Sequence, residues 1–367
     1  MTKRYIHSLA DWPDFKWDNV KLSPLLAEVR HRQGHLLGQM KGLGFRLRAE
    51  TNLSSLTNEV VKSSAIEGER LDAGEVRSSL ARRLGLDAGG AGPASRHIEG
   101  VVEMLLDATQ KCMEPLTAER LFAWHASLFP GGHSGMRAIT TGAWRKAAHD
   151  PMQVVSGPMG RERVHFEAPA AERLEAEVGI FLDWFEGSGK IDPVLKAGVA
   201  HFWFVTLHPF EDGNGRISRA IADMALTRSE GAKFYSMSAQ IEAERGEYYL
   251  NLEQSQGGGL DITSWLEWFL NCLGRAIAKA EAELEGTLHR VKIWERINNN
   301  APVNERQRRV INRLLEGFEG KLSNAKYAKL AKCSADTALR DIKLLVEWGI
   351  LRQDEGGGRN TRYLLVA

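Results

Sequence analysis

The sequence predicts a mainly α-helical protein that ends in a winged helix-turn-helix. Two observations support this prediction. Apolar residues recur at helical spacing through most of the chain, and the final segment orders three helical patterns before two short strands. The 367 residues are enough for two or three domains of roughly 150 residues each.

The composition is that of an ordinary globular protein. The chain has 48 Lys+Arg against 47 Asp+Glu, and 43% of its residues are hydrophobic. These values exclude wholesale disorder and a bulk polycation. Its three cysteines lie far apart without a C-x-x-C pair, so neither a disulfide framework nor a zinc site is predicted, and a reducing cytoplasm is the expected location. The most apolar run, 199–207, is shorter than the ~18 residues of a membrane-spanning helix, so no membrane association is expected.

Residues 1–95 are predicted to form a helical N-terminal extension. Apolar residues recur at helical spacing over 22–48, and a second helical pattern begins at about Ser54. Gly68 suits the left-handed position that ends such a helix, so Glu67 is expected to project from the helix end. A stretch rich in Gly, Ala and Pro closes this part and predicts a loop.

Residues 96–297 are predicted to form a helical core. Helical patterns occur at 97–112, 117–128, 169–186, 193–207, 217–227, 242–254 and 262–298. Two short β-type runs, Gln153–Val155 and Arg163–Phe166, predict one small hairpin within 142–167. The sequence NNNAP at 298–302 is expected to be a linker.

Residues 304–367 are predicted to form the winged helix. Helical patterns at 306–315, 324–330 and 334–347 precede strands at 350–352 and 362–366. Counts of 13 Lys+Arg and 8 Asp+Glu give this segment a net charge of +5, which is compatible with nucleic acid but modest.

The third helix of this segment is the candidate recognition helix. Side chains at five positions would face DNA: Thr337, Arg340 and Lys343 on the helix, and Arg359 and Arg362 in the wing. Asp336 and Asp341 lie on the same helix. A protein-docking or dimerising module therefore stays open as an alternative to DNA binding.

The loop that carries chemistry runs from His208 to Arg219. Glycines 213 and 215 let the backbone turn its N–H groups toward an oxyanion, and the helix that begins there adds the positive end of its dipole. No Gly-Lys-Ser/Thr follows, so this is not a Walker A loop. The cations must come from Arg216 and Arg219, which share one face of the first helical turn.

Two side chains in this loop suit a nucleotide reaction. Asp212 is a hard oxygen ligand placed to hold Mg²⁺ against phosphates. His208 lies just before the anion-binding turn, where a neutral imidazole can take a proton from an incoming hydroxyl. Phe210 is predicted to anchor the loop in the core. Five other histidines show no metal-ligand spacing and are predicted to be structural: His97, His125, His133, His165 and His201.

The segment 208–219 resembles the motif of the Fic family, H-x-F-x-[DE]-G-N-G-R-x-x-R, at every defined position. The resemblance implies a Fic-type helical core with a small β-hairpin flap. It also implies AMPylation, the transfer of AMP from ATP to a Ser, Thr or Tyr hydroxyl of a protein target, including the enzyme itself. In that reaction His208 would be the general base. Its phosphate-binding residues would be Asp212 as the Mg²⁺ ligand, Gly213, Asn214 and Gly215 as the anion hole, Arg216 and Arg219 as the phosphate clamp, and Ile217 and Ser218 between them.

A second segment, Ser63 to Gly68, resembles the family's inhibitory motif, [ST]-x-x-x-E-[GN]. The resemblance implies that Glu67 pairs with Arg219 and excludes the γ-phosphate, so ATP would bind with its α-phosphate out of line for attack. Without that resemblance, the same residues describe an ordinary helix end with a solvated glutamate and a glycine cap.

Two further parts of the site follow from the resemblance. The hairpin resembles the flap that lays a target segment beside the site, with Val154, Val155, Ser156 and Gly157 at its ATP-facing part. A structural hairpin is the alternative. Tyr248, Tyr249 and Gln256 resemble the stretch that receives adenine and ribose, although the family often has Asn where Gln256 stands. A packed tyrosine pair in the core is the alternative for Tyr248 and Tyr249.

The sequence therefore predicts an Mg²⁺-dependent protein adenylyltransferase autoinhibited by Glu67. Within the enzyme class, the alternatives are removal of AMP from a target and transfer of another phosphate-containing group. From another class, the alternative is a DNA-binding regulator whose core senses nucleotide. The identity of the target and the formation of a homodimer stay open.

Overall fold

The computed structural model describes residues 5–87, 92, 94–147, 151–158, 160–187, 189–318, 320–354 and 361–366. The chain is mainly helical with small antiparallel sheets, as predicted. It divides into two compact units, Met1–Glu281 and Ala282–Ala367. The predicted division of the first unit near residue 95 stays a prediction.

The first unit is built from helices α1 to α10 and the first part of α11. The helices are α1 (Asn19–Lys41), α2 (Phe45–Ile66), α3 (Ala73–Arg83), α4 (Arg96–Gln110), α5 (Ala118–Leu128), α6 (Leu174–Glu186), α7 (Pro193–Leu207), α8 (Asn214–Glu230), α9 (Met237–Ala243), α10 (Arg245–Gln256) and α11 (Thr263–Asn300). Two short 3₁₀ turns lie at Ile6–Ser8 and Ala171–Arg173. Two hairpins pair β1 (His133–Ser134) with β2 (Arg137–Ala138) and β3 (Gln153–Ser156) with β4 (Arg163–Glu167).

Helices α7 and α8 form the centre of this unit. Helix α7 is apolar around its whole circumference and is buried along nearly its entire length, as expected for a central helix. Asp192 caps its start and Pro193 occupies its first turn, where the missing N–H costs nothing. Near the N-terminus of the chain, Phe15 packs edge-on against Trp203 with ring centroids 5.4 Å apart. The loop between α7 and α8 therefore begins at the end of a buried, tightly packed helix.

The N-terminal helices differ from the prediction in their boundaries. The predicted helix over 22–48 ends at Lys41, and α2 begins at Phe45 rather than at Ser54. The break falls at Gly42 and Gly44, because glycine loses more conformational entropy in a helix interior than other residues. Helix α2 is therefore a long continuous helix whose C-terminal end carries the predicted inhibitory motif.

A buried charge cluster ties α2 to α8. Lys233 lies between Glu59 of α2, at 3.3 Å, and Asp223 of α8, and all three side chains are almost fully buried. Buried charges are stable only when they are paired, so this cluster fixes where α2 lies against the core.

Replacing Lys233 with methionine is expected to lower the free energy of unfolding by about 3–5 kcal/mol, because two carboxylates would stay buried without a cation. Chemical denaturation measures this loss. Lys62→Met is the matched control, since Lys62 pairs with Glu242 at the surface and should contribute less than about 1 kcal/mol. Equal unfolding midpoints for Lys233→Met and the wild type would contradict the structural role of the cluster.

The second unit has the topology of a winged helix-turn-helix. Its elements are α12 (Glu305–Leu315), β5 (Leu322–Ser323), α13 (Asn324–Ala331), α14 (Ala335–Glu347), β6 (Leu351–Gln353) and β7 (Arg362–Leu365). Strand β7 lies between β5 and β6 in an antiparallel sheet. The two-residue strand β5 was missed, because so short a run has no periodicity. The predicted wing residue Arg359 lies outside the described residues.

The linker predicted at 298–302 is wrong for residues 298–300, because α11 is helical through Asn300. Ile293 and Ile297 of α11 are buried in the core of the second unit, together with Tyr327 and Ile342. The helix is kept regular there by packing, which composition alone does not reveal.

Asp341 lies on the candidate recognition helix, as predicted, but it does not add a negative charge to the exposed surface of that helix. Its side chain is buried, accepts a hydrogen bond from Tyr327 at 3.2 Å and pairs with Arg306 at 3.2 Å. Arg340 and Lys343 are exposed on the same helix, but so are the apolar side chains of Leu339 and Leu344. None of the described helices of the chain is both long and apolar enough to cross a membrane.

Candidate active site

The candidate site lies where the chain passes from α7 to α8. His208 ends α7 in a left-handed conformation, with φ 47° and ψ 53°. Gly213, at φ 81°, starts α8, and a Cβ there would lie 2.9 Å from the Phe129 ring. Only glycine fits this position, so the turn aims the first N–H groups of α8 out of the helix as the sequence predicts.

The side chain of Asn214 holds this turn in shape. Its Oδ1 accepts a hydrogen bond from the Phe210 N–H at 3.0 Å, and its Nδ2 donates to the Phe210 carbonyl at 2.9 Å. Phe210 is fully buried and stacks on His125, with ring centroids 4.2 Å apart. Ile217 and Ser218 are also buried, and the Ser218 hydroxyl donates to the Gly215 carbonyl at 2.8 Å. These side chains shape the loop. Its backbone N–H groups remain the candidate hydrogen-bond donors to an anion.

His208 is held as a neutral imidazole. Burial and, to a smaller extent, the nearby positive charge of Arg145 lower its pKa to about 4. The Arg145 side chain is itself fixed, because its Nε donates to the His208 carbonyl at 2.8 Å. At neutral pH the ring is therefore unprotonated and able to accept a proton.

A cavity of about 620 Å³ opens beside His208. The predicted site residues that line it come from four segments: Glu67 at the end of α2, Val154, Val155 and Ser156 of β3, His208 and Gly215 of the loop, and Tyr248, Tyr249 and Gln256 of α10. Residues so far apart in sequence meet in a space large enough for a nucleotide. Gly157, the fourth predicted flap residue, is not among the residues that line it; it turns the chain after β3 at φ 105°.

A second cavity, of about 510 Å³, lies on the other side of Glu67. Its polar lining includes Asp212, Arg216, Glu69, His97 and Ser134. Glu67 lines both cavities. A ligand that extends from the first cavity into the second must therefore pass the Glu67 carboxylate.

Glu67 contacts the anion-binding turn directly. Arg219 Nη2 donates to Glu67 Oε1 at 2.8 Å, and a Cβ on Gly215 would lie 2.2 Å from the same oxygen. Ser63 completes the contact, since its hydroxyl and carbonyl oxygens each accept a hydrogen bond from Arg219 at 2.9 Å. Gly68 takes the left-handed conformation at φ 86° and ends α2, as predicted. A carboxylate therefore lies where the turn would receive an anion.

Sequence reasoning missed a second carboxylate at this turn. Glu69 Oε2 accepts a hydrogen bond from Arg216 Nη1 at 2.9 Å, and Glu69 Oε1 lies 2.5 Å from His97 Nε2. The bond from His97 and the charge of Arg216 outweigh burial and lower the pKa of Glu69, so it is ionised at neutral pH. The signal available in the sequence was an acidic residue two positions after Glu67.

The β3–β4 hairpin is joined to α10 by charged side chains. Arg163 and His165 of β4 both contact Glu253 of α10, at 2.8 and 2.7 Å, and the Ser156 hydroxyl contacts the other ring nitrogen of His165 at 2.6 Å. In the described residues, β3 pairs with β4 and with no other strand. One edge of this hairpin is therefore free to receive an extended segment.

Two of the three predicted α10 residues are buried and contact other protein side chains. Tyr248 is buried, and its hydroxyl lies 3.0 Å from His201 Nε2. Gln256 is also buried and donates to the Thr206 hydroxyl at 3.2 Å. Tyr249 is partly exposed, and its hydroxyl donates to the Ile66 carbonyl at 3.3 Å. Tyr249 thus connects the wall of the first cavity to the last turn of α2.

Asp212 has the surroundings of a metal ligand. It lines the second cavity, and its Oδ2 accepts a hydrogen bond from the Ser134 hydroxyl, which fixes the carboxylate. Mg²⁺ is usually bound by one or two carboxylates together with substrate phosphates and water. A single oriented carboxylate beside a cavity of about 510 Å³ fits that chemistry.

The lowered pKa values of three buried histidines predict how they make the free energy of unfolding depend on pH. Burial lowers the pKa of His125 to about 4, of His201 to about 3 and of His208 to about 4, from 6.5 in the unfolded chain. As the pH falls from about 6.5 toward 4, only the unfolded chain takes up these protons. The free energy of unfolding is expected to fall by about 1.4 kcal/mol per pH unit for each histidine.

Urea denaturation between pH 4.5 and 7 measures this dependence. Replacing His125 with glutamine should reduce the slope. An unchanged slope in the His125→Gln variant would contradict the burial of a neutral His125.

The fold and the candidate site together define a helical domain with a candidate anion-binding turn between two buried helices. Comparison with known proteins gives this domain its family. Residues 115–226 match the model of the Fic/DOC family, and residues 5–86 match that of a domain of unknown function, DUF4172. The chain therefore contains a domain of the Fic/DOC family.

Curated relatives match only part of their own length. The chain is 32% identical over 111 residues to a protein adenylyltransferase Fic of Nematostella vectensis, covering 30% of this chain and 25% of that protein. It is 25% identical over 229 residues to a protein adenylyltransferase Fic of Drosophila willistoni, covering 59% of this chain and 40% of that protein. The matched part is thus well under half of either relative.

Solved structures confirm the fold. A Fic family protein from Desulfovibrio desulfuricans superposes with a TM-score of 0.54 at 23% identity, covering 94% of this chain and 96% of that chain. A Fic domain containing signaling protein from Bacteroides thetaiotaomicron gives a TM-score of 0.52 at 20% identity, covering 69% of this chain and 95% of that chain. The arrangement of helices is therefore that of Fic proteins.

Proposed function

We propose that this chain is a protein adenylyltransferase, which transfers AMP from ATP to a Ser, Thr or Tyr hydroxyl of a protein. The observation that carries the proposal is the first cavity, in which a neutral His208, the start of α8 and a hairpin with a free edge meet. The names of the curated relatives support it. Auto-AMPylation is part of the same proposal.

In this mechanism ATP lies with its adenosine against α10 and its phosphates at the N-terminus of α8. The helix dipole, the first N–H groups and Arg219 stabilise the phosphate charge. A target segment adds to the free edge of β3, which brings its hydroxyl toward His208. The hydroxyl oxygen attacks the α-phosphorus, its proton goes to the His208 imidazole, and the bond to pyrophosphate breaks.

The remaining phosphates would extend into the second cavity, where Asp212 and Arg216 lie. Asp212 would hold Mg²⁺, which when bound neutralises charge on the departing pyrophosphate. Arg216 stacks on Phe129, with its guanidinium carbon 5.0 Å from the ring centroid. Its orientation is fixed before a ligand arrives, so little entropy is lost when it binds phosphate.

The Glu67 contact is proposed to inhibit this reaction. Glu67 occupies Arg219 and covers Gly215, so the γ-phosphate is excluded and the α-phosphate is held out of line for attack. Removal of AMP from a modified protein is the alternative at this same site, since the Glu67 carboxylate lines the cavity that contains His208 and would there position water.

Parallel incubations with α-labelled and γ-labelled ATP test the proposed reaction. Label retained on protein from the α position alone supports AMP transfer, whereas label from the γ position alone indicates phosphorylation. The assay should use both wild type and Glu67→Gln, because the wild type is expected to be inhibited. If Glu67→Gln retains no label on itself or on proteins of a cell extract, adenylyl transfer is not the function of the chain.

Replacing Asp212 with asparagine is expected to remove Mg²⁺-dependent activity, because an amide oxygen binds a hard divalent cation much more weakly than a carboxylate. Titration of AMP transfer with Mg²⁺ in the Glu67→Gln background measures the effect. Glu211→Gln is the matched control, since the neighbouring Glu211 contacts Thr140 rather than the second cavity. An identical Mg²⁺ titration for the Asp212→Asn variant would show that Asp212 is not the metal ligand.

A further inference from the structure

We propose that Glu69 is a second inhibitory carboxylate, which occupies Arg216 in the same way as Glu67 occupies Arg219. The two side chains would then imitate two outer phosphates of a nucleotide. This inference rests on the proposed function and adds to it a second, independently removable block of the phosphate site.

The contact itself is well defined. Arg216 is 5% exposed, and its Nη1 donates to Glu69 Oε2 at 2.9 Å. Arg216 Nε is buried without a hydrogen-bond partner among the described residues, so the guanidinium keeps a donor available for another oxyanion. Of the ion pairs found in the described part of the chain, Arg216 takes part in one, and its partner is Glu69.

The backbone explains why both carboxylates reach the same turn. Glu67 is the last residue of the helix end, Gly68 turns the chain with φ 86°, and the Glu69 N–H donates to the Ser64 carbonyl at 3.0 Å. Such a helix end fixes the two residues on either side of its glycine. Glu67 is therefore presented to Arg219 and Glu69 to Arg216.

A third group orients Glu69. His97, at the start of α4, lies 2.5 Å from Glu69 Oε1, while Glu69 Oε2 faces Arg216. The carboxylate thus contacts one side chain on each oxygen, and both contacts restrict its conformation. A contact that needs no further ordering of its groups competes effectively with a mobile ligand.

The arrangement has a consequence for phosphate binding. A buried arginine is stable only with an anion beside it. A phosphate can therefore bind this side of Arg216 only when it displaces the Glu69 carboxylate. Removing Glu67 frees Arg219 alone and leaves Arg216 occupied. Both arginines become available for a diphosphate group only when both carboxylates are removed or displaced.

Calorimetric titration with inorganic pyrophosphate tests this proposal without any transfer reaction. Glu69→Gln is expected to bind pyrophosphate about ten- to a hundredfold more tightly than wild type, which corresponds to one charge-assisted hydrogen bond. The variant with both Glu67→Gln and Glu69→Gln should bind more tightly than either single variant. Adding Arg216→Ala to Glu69→Gln should remove the gain.

Two controls separate blocking from a structural role. Glu103→Gln removes an exposed carboxylate whose ion pair lies away from Arg216, and it should leave pyrophosphate affinity unchanged. Thermal unfolding is measured in parallel, because a purely structural Glu69 would change the melting temperature and not the affinity. Glu69→Ala serves as a second variant if Glu69→Gln does not fold.

Unchanged pyrophosphate affinity in folded Glu69→Gln and Glu69→Ala, with tighter binding in Glu67→Gln, would overturn the proposal and leave the proposed function intact. Tighter binding in Glu69→Gln, in a protein that transfers no AMP in any variant, would support the second block and refute the adenylyltransferase.

Discussion

Replacing His208 with alanine is expected to reduce AMP transfer by about a hundred- to ten-thousandfold, which is the usual contribution of a general base. The affinity for ATP should change by no more than about threefold, because the imidazole acts on the hydroxyl proton and not on the phosphates. Single-turnover transfer from α-labelled ATP measures the first quantity, and calorimetric titration with ATP measures the second.

The assay is best carried out in the Glu67→Gln background, where the starting rate is high enough to show a large decrease. His35→Ala is the matched control, since His35 is exposed and contacts Glu281 far from the loop in sequence. Undiminished transfer by His208→Ala would remove the general base from the mechanism. Equal loss of transfer and of ATP affinity would instead indicate a role of His208 in binding.

Replacing Glu67 with glutamine is expected to raise self-modification by about ten- to a hundredfold. Glu67 forms a charge-assisted hydrogen bond to a buried arginine, which contributes roughly 1.5–3 kcal/mol. Glutamine keeps the shape of the side chain but lacks the charge, so Arg219 is released for the γ-phosphate. Retention of α-label by the protein itself, measured over time, gives the ratio of rates.

Arg219→Ala in the same background should remove the gain, because the released cation is then absent. Glu67→Gly should also be active, but it additionally loosens the end of α2 and is the less specific variant. Equal transfer by wild type and Glu67→Gln would refute autoinhibition. Faster loss of AMP from a modified protein in wild type than in Glu67→Gln would indicate the removal reaction instead.

The sequence predicts the backbone at the centre of the candidate site, because the residues that form it are contiguous. The turn at Gly213 and the start of α8 follow from local backbone chemistry within a dozen residues. Gly68 ends α2 for the same kind of local reason. Local patterns also predict most of the helices, since long apolar periodicities are strong signals.

The sequence does not predict the contacts that join distant segments. Nothing local indicates that Glu69 meets Arg216, or that Lys233 lies between Glu59 and Asp223, since each partner is decided by how helices pack. The burial of Asp341 was missed for the same reason. The two-residue strands carry too few residues for a periodic signal.

The Lys233 cluster limits the motion by which the site can be opened. Glu59 lies two turns before Glu67 on the same helix, and its buried ion pair holds that part of α2 against the core. Departure of the whole helix would take Glu59 away from the buried Lys233, whereas unwinding of the last turn breaks the contacts to Arg219 and leaves the Lys233 cluster intact. Tyr249 touches the carbonyl of Ile66, inside that same turn. A ligand that moves this tyrosine therefore acts directly on the turn that presents Glu67 to Arg219, and unwinding of that turn would release Arg219 while the Lys233 cluster holds the rest of α2 in place.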